Sequence, residues 1–290
     1  MSLGLLVPAS GIMTSPSIMT PEGRNVRTDD GLKLHALHWS PARALQGTLW
    51  VIPGLGEHSG RYRHVGTFFS QQGWEVWIPD LRGHGHSEGT RCHVDSWFDY
   101  FEDLRTLQKH SGPPNAILAH SMGGLLAVDW LGHLGTTDRL LLSSPLLGIA
   151  LELPAWKLAL SKVLSTCLPK LAMANEIPLD ALCTDPEVIA RVQADPFYYR
   201  KATPRWYIEM RSALARVRQQ ASRFATPISL HCADDDRVTN SKRAQEWLLE
   251  IQGPKEQTIW PQTRHEILQE PCRGQVMQAM NAWLTQAIST

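Results

Sequence analysis

Ser121 is the residue whose neighbours best prepare it for chemistry. It lies in Ala116-Ile-Leu-Ala-His-Ser121-Met-Gly-Gly124, followed by Leu125-Leu-Ala-Val-Asp-Trp-Leu131. An apolar run gives way within one residue to a helical pattern, so the serine falls on a corner between strand and helix. A serine at such a corner sits in strained backbone with its hydroxyl exposed. The residues two before and two after it must be small to avoid collision; here they are Ala119 and Gly123. Ala119 replaces the more usual glycine and is the next smallest residue. Gly124 lets the helix approach the sheet. The chemistry is nucleophilic attack on a carbonyl, and the helix start at Met122 favours an oxyanion through its free N–H groups and dipole. The competing role for Ser121 is to N-cap that helix. The strand before it and the amphipathic helix after it favour the nucleophile.

A serine hydroxyl needs a base, and the base needs an orienting acid. On a strand–corner–helix nucleophile they are expected later in the chain, acid before base. The strand pattern Pro227–Cys232 runs into Ala233-Asp234-Asp235-Asp236-Arg237-Val238-Thr239. Any of the three aspartates could supply the carboxylate. The last strand pattern, Gln257–Pro261, leads into Gln262-Thr263-Arg264-His265-Glu266. His265, ahead of the final helical pattern, is the candidate base. His58, His84, His86 and His120 lie in loops of small residues and are read as holding those loops in shape. His120, beside the nucleophile, is also a candidate for substrate contact. No histidine or cysteine cluster has metal-ligand spacing, so no metal or other cofactor is expected. The 5 cysteines are scattered, without a CxxC pair. They read as free thiols in a reducing compartment.

The elements that must position these residues follow from the apolar pattern. Asn25–Trp39 reads as a β-hairpin around Asp30-Gly31. Buried strands are expected over Gly47–Pro53, Trp74–Pro79, Ala116–His120 and Arg139–Ser144. Helical patterns cover Tyr62–Gln72, Val94–Gln108, Met122–Leu134, Ser241–Ile251 and Gln275–Ile288. This alternation implies an α/β fold: a mostly parallel sheet with helices on both faces, its ligand site at the carboxyl ends of the strands. Between 146 and 226 the pattern changes to proline-punctuated helix with no convincing strand. The segment is too long for one crossover and reads as a helical cap between two core strands. The alternative is that its helices simply cover the sheet. The expected organisation is an arm over 1–22, a core over 23–145 and 227–290, and a cap over 146–226. Leu146, Leu147, Ile149, Leu151 and Leu153 open the cap, with Trp156, Leu158 and Leu160 following. Most should pack inward. The remainder would suit an acyl chain, or transient contact with a membrane or micelle.

Composition narrows the partners. The 290 residues carry 28 Lys+Arg and 28 Asp+Glu. With no dense basic run, nothing calls for nucleic acid. No apolar run approaches the ~20 residues needed to span a bilayer. The short apolar patch at the N-terminus lacks the positive region of a secretory signal. A cytoplasmic protein, peripheral to a membrane at most, is expected. Met13 and Met19 are alternative starts.

The motif loops resemble those of the monoacylglycerol lipase and lysophospholipase family of α/β-hydrolases. Val51-Ile-Pro-Gly-Leu-Gly-Glu-His-Ser-Gly-Arg-Tyr62 is similar to that family's HGxGEHSGRY loop. Pro79-Asp-Leu-Arg-Gly-His-Gly-His-Ser-Glu-Gly89 looks like its DxRGHGxS turn, and His120-Ser-Met-Gly-Gly124 matches its elbow. Pro154-Ala-Trp-Lys157 and Asp185-Pro-Glu-Val188 resemble its cap. The resemblance runs from about Arg27 to the C-terminus. Pro53 departs from it, standing where the family usually has a histidine outside the catalytic triad. The resemblance implies the α/β-hydrolase fold and an acyl-ester lipid substrate. It implies an oxyanion hole from the N–H groups of Leu55 and Met122, and it selects Asp236 as the acid, with Asp234 second. It places a glycerol head group near Glu57 and Arg61. The expected activity is monoacylglycerol hydrolysis through an acyl-enzyme. The alternatives are a lysophospholipase or general carboxylesterase and, more remotely, an acyltransferase or an inactive binding module.

Overall fold

The structure is a computed structural model that describes residues 20–150, 154–175 and 177–286. Most of the expected arm and the expected cap residues Leu151 and Leu153 lie outside the described residues, as does the last stretch of the final helical pattern.

The hairpin forms as β1 (Glu22–Arg27) and β2 (Lys33–Trp39), with Val26 opposite Leu34. Its turn places Gly31 at φ 91, and the Thr28 hydroxyl accepts the Leu32 N–H at 2.9 Å. Then follow β3 (Gly47–Ile52), α1 (Arg63–Gln71), β4 (Trp74–Pro79), α2 (Phe98–Ser111), β5 (Ala116–His120), α3 (Met122–Leu131) and β6 (Arg139–Ser143). The middle segment holds α4 (Ala155–Cys167), β7 (Met173–Ala174), α5 (Pro186–Ala194), β8 (Lys201–Ala202) and α6 (Pro204–Gln220). The chain closes with β9 (Ile228–Ala233), α7 (Ser241–Glu250), β10 (Lys255–Trp260) and α8 (Arg273–Thr285). Eight strands make one sheet in the order β1-β2-β4-β3-β5-β6-β9-β10. From β4 to β10 every neighbouring pair is parallel; β1 and β2 add on antiparallel. This is the α/β-hydrolase architecture.

Strand alternation splits the interior into two layers. Trp50, Ile52, Ile117, Leu140 and Leu142 face α2, α3, α6 and α7. Leu49, Val51, Val76, Leu118 and Leu141 face α1 and α8. Because the sheet is covered on both faces, its central strands carry apolar residues at nearly every position.

The structure departs from the sequence reading most clearly at α2 and in the middle segment. α2 begins at Phe98 rather than Val94, because the Asp99 carboxylate takes the N–H groups of Asp95 and Ser96 at 3.1 and 3.0 Å. These bonds hold the preceding residues in a turn outside the helix. In the middle segment β7 and β8 pair antiparallel, although no strand was expected there; a two-residue ladder is too short to show a periodicity. α6 buries Trp206, Met210, Leu214 and Val217 in the main core layer and packs on α3. This helix therefore covers the sheet, while α4 lies on α6.

Packing in the α1–α8 layer makes a stability prediction. Phe69 is fully buried and its neighbour Phe68 is only partly so. Phe69→Ala should cost about 3–5 kcal/mol in urea unfolding, and Phe68→Ala clearly less. Equal losses would show that the layer is not packed as described.

Candidate active site

The corner after β5 is as sharp as its sequence requires. Ser121 has φ 52 and ψ −119, and its side chain makes no cap hydrogen bond to α3. The N-cap alternative is therefore not what the hydroxyl does. Its backbone is pinned instead: the N–H donates to Ser143 O at 3.0 Å, and the carbonyl accepts from Leu146 N at 2.9 Å. A Cβ on Gly123 would stand 2.4 Å from Ile52 O and 2.6 Å from Pro53 O. Only glycine lets β3 and its loop approach the start of α3 so closely.

The hydroxyl is committed to His265. Its Oγ lies 2.9 Å from His265 Nε2, and His265 Nδ1 lies 3.0 Å from Asp236 Oδ2. The three residues come from the ends of β5, β9 and β10 and are brought into one line. Asp236 is oriented by the N–H groups of Val238 and Thr239, both at 2.9 Å, and by the Thr239 hydroxyl at 2.7 Å. Burial would raise its carboxyl, but the facing His265 and the Thr239 bonds bring it down to about 2. Burial likewise pushes His265 down, and Asp236 outweighs it, leaving the imidazole above its ordinary 6.5. Asp236 is thus an anion when the imidazole accepts a proton.

The other two aspartates have separate work. Asp234 takes the N–H groups of Gln262 and Thr263 at 2.9 and 3.1 Å, joining the acid loop to the histidine loop. Asp235 pairs with Arg237 at the surface.

The loop after β3 lies against the serine. Gly54 through Glu57 form a turn closed by Glu57 N to Gly54 O at 3.3 Å, with Gly56 at φ 75. A positive φ at this third turn position calls for glycine. Leu55 sits at the second position. Met122 opens α3, where the first N–H groups have no acceptor one turn back. Glu57 braces the turn from behind: its Oε2 accepts Gly54 N at 2.8 Å and the Tyr62 hydroxyl at 2.7 Å. Arg61 bonds Glu57 and forks onto Glu266 at 3.0 and 2.6 Å. Glu57 and Arg61 are both turned to protein partners. Burial acts against the Arg61 charge, but the carboxylates of Glu266 and Glu57 outweigh it and keep the guanidinium firmly protonated. His120 is buried, bonds Ser143 Oγ at 3.1 Å and stands 4.8 Å from the His265 ring. Burial and the His265 charge lower it to about 3, so it stays neutral.

Of the remaining motif histidines, His58 accepts from Gly60 N and reaches Asp195 at 2.8 Å, and His84 bonds Arg82 O at 2.9 Å. Both hold their loops. His86 instead packs its ring on His35 and Phe197.

Sequence reasoning missed Thr239, Tyr62, Glu266 and Tyr199. Tyr199 donates its N–H to Gly56 O at 2.9 Å and so ties the middle segment to the loop. Thr239 could have been found as a hydroxyl three residues after an aspartate in a loop. Nothing in the sequence marks a backbone bond such as that of Tyr199.

Comparison with known proteins finds relatives over most of the chain. The pattern of the Hydrolase_4 family, described as serine aminopeptidase, S33, matches residues 43–272. A monoacylglycerol lipase from Mycolicibacterium smegmatis is 29% identical over 85% of this chain and 90% of its own length. An abhydrolase domain-containing protein from Dictyostelium discoideum is 28% identical over 93% of this chain, which spans only 30% of that longer protein. The solved structure of a monoacylglycerol lipase from Paleococcus ferrophilus superposes with a TM-score of 0.81 at 24% identity, covering 87% of this chain and 98% of that one, and shares its fold. The pattern match takes in the loop after β3, the elbow and the regions of the acid and the histidine, and on that extent the chain belongs to the Hydrolase_4 family and is a serine hydrolase.

Proposed function

We propose that the protein is a monoacylglycerol lipase that works through an acyl-enzyme, with Ser121, His265 and Asp236 as its triad. The observation that carries this reading is the unbroken line of hydrogen bonds from Asp236 through His265 to the Ser121 hydroxyl. In the proposed reaction His265 Nε2 takes the Ser121 proton as Oγ attacks the ester carbonyl carbon. Asp236 holds the imidazole in the tautomer that presents a free Nε2 and stabilises its charge. The N–H groups of Leu55 and Met122 receive the oxyanion; such donors contribute roughly 3–4 kcal/mol each. His265 then protonates the departing glycerol oxygen. Water, deprotonated by the same imidazole, releases the fatty acid. Glu57 and Arg61 set the position of the oxyanion loop, at the end of the site where the glycerol would lie, and His120 walls the site beside His265.

Support for a lipid ester comes from the middle segment, read here as a cap. α4 buries Ser161 and Ser165 and turns Trp156, Leu160 and Val163 outward, at 64%, 45% and 58% exposure. Leu168, Leu171 and Met173, which follow α4 in the chain, are exposed as well. Among the described residues no helix is long and apolar enough to cross a membrane. An apolar face of this kind suits contact with a lipid surface from one side. The name borne by the Mycolicibacterium relative points to the same substrate class.

Three measurements test these assignments. Hydrolysis of a medium-chain monoacylglycerol should exceed that of the matching lysophospholipid and vanish in Ser121→Ala. A preference for the lysophospholipid would move the head-group assignment, and turnover surviving the mutation would remove the nucleophile. The pH profile follows from His265, which must be neutral to act as base. Its pKa is raised, so kcat/KM should fall as pH drops through a midpoint above 6.5. In Asp236→Asn burial acts on the ring without the opposing carboxylate. That midpoint should then drop while kcat falls about 10⁴-fold. A native midpoint at or below 6.5 would contradict the coupling. For the exposed face, the double variant Leu160→Ser, Val163→Ser should lose activity on vesicle-borne substrate and keep it on a water-soluble short-chain ester. Equal loss on both would rule out an interfacial role.

A further inference from the structure

A cleft of about 510 Å³ opens away from the triad. None of Ser121, Asp236 and His265 lines it. Its walls come from β2, the start of α1, the turn after β4, α5 and the start of α8. Its volume falls within the range that holds small organic ligands.

The charge lining it is unbalanced. Arg63, Arg191 and Arg273 all face the cleft. Among the described residues the Arg63 guanidinium has no hydrogen bond or ion pair. Arg191 reaches Glu187 only at 3.8 Å, and Arg273 meets the Glu270 carbonyl only at 3.4 Å. The one lining carboxylate, Asp195, is already held by His58 and by Phe197 N, each at 2.8 Å. Arg61, at the back, is neutralised by Glu57 and Glu266. The charges of Arg273 and Arg191 both reach His64 in the cleft: burial lowers its pKa, and these charges, with a share from Arg61, push it further down against its bond to Leu268 O.

One wall is built of rings. The His86 ring lies 4.2 Å from that of Phe197 and 5.2 Å from that of His35. Leu37, Val188 and Val192 extend this surface. The cleft therefore offers three guanidinium groups beside a ring-lined wall.

We propose that this cleft binds a phosphate monoester, with the phosphate held by Arg63, Arg191 and Arg273 and its organic group laid against His86 and Phe197. A carboxylate brings one charge and two oxygens. A phosphate monoester brings close to two charges and three terminal oxygens, which matches three forked donors. The phosphate could belong to a lipid head group or to a soluble metabolite.

Calorimetric titration of the full chain at constant ionic strength tests the site, with phenyl phosphate and inorganic phosphate as probes. Phenyl phosphate should bind once per chain and more tightly than inorganic phosphate. Each of Arg63→Ala, Arg191→Ala and Arg273→Ala should weaken it by about tenfold or more. Arg191→Lys should lose less, and Arg243→Ala, on the remote α7, should lose nothing. Co-sedimentation with phosphatidylcholine vesicles, with and without phosphatidic acid, separates the sources. Capture by phosphatidic acid that needs the three arginines assigns a lipid head group. Phenyl phosphate binding without such capture assigns a soluble phosphate. Failure to saturate with phenyl phosphate, or binding unchanged by all three replacements, overturns the proposal.

Discussion

Ser121 holds a backbone conformation that costs of the order of 1–3 kcal/mol and persists only where the surroundings over-determine it. Three strand ends supply that constraint. β5 delivers the residue, the end of β6 takes its N–H, and the loop after β3 presses two carbonyls against Gly123. A side chain on Gly123 would break the contact, and with it the close approach of Gly54 to Ser121. Sheet order then brings in the partners. β6 is followed by β9 and β10, and the parallel register sets Ala233 opposite Trp260. The acid loop and the histidine loop therefore leave the sheet level with one another, and Asp234 ties them together. A one-residue slip in that register would separate Asp236 from His265 while leaving both strands intact.

The buried charges behind the site do two things at once. Burying a charge costs several kcal/mol unless it is paired and hydrogen-bonded. Glu57, Arg61 and Glu266 meet that condition by sharing one guanidinium between two carboxylates. The arrangement fixes the turn that carries Leu55, since Glu57 also holds Gly54 N. It further leaves one surplus negative charge beside His265. Both Glu266 and Glu57 add to the effect of Asp236 in raising that imidazole. His120, next to it, is kept neutral by burial, so no second positive charge competes for the same field.

The sheet, the elbow and the order acid-then-base were legible because each rests on a local pattern. Apolar strands such as Leu49–Ile52 need no partner to be seen, and the small residues around Ser121 follow from sterics alone. The choice among Asp234, Asp235 and Asp236 was not legible in the residues. Three adjacent aspartates differ only in which way the loop turns them, and that is decided by Thr239, Gln262 and Arg237. The start of α2 was missed because Asp99, an ordinary first-turn acid in sequence, reaches back to two N–H groups. Glu57 and Arg61 look like free polar residues in a loop. Their burial depends on Glu266, more than two hundred positions away.

The middle segment shows the limit of periodicity most clearly. An amphipathic helix is normally read with its apolar face inward. In α4 the inward face is mixed, with Ser161 and Ser165 buried beside the half-buried Leu158 and Leu164. Ser161 and Ser165 face the protein, and each hydroxyl bonds a carbonyl of its own helix, Lys157 O and Lys162 O, both at 2.9 Å. Satisfied in this way, small polar residues can be buried without an unpaired group. Trp156, Leu160 and Val163 are left on the outside. Water does not favour such a surface, and nothing in the packing of α4 on α6 requires it. The arrangement is the one expected of a surface that meets an apolar phase, as the proposed interfacial role requires.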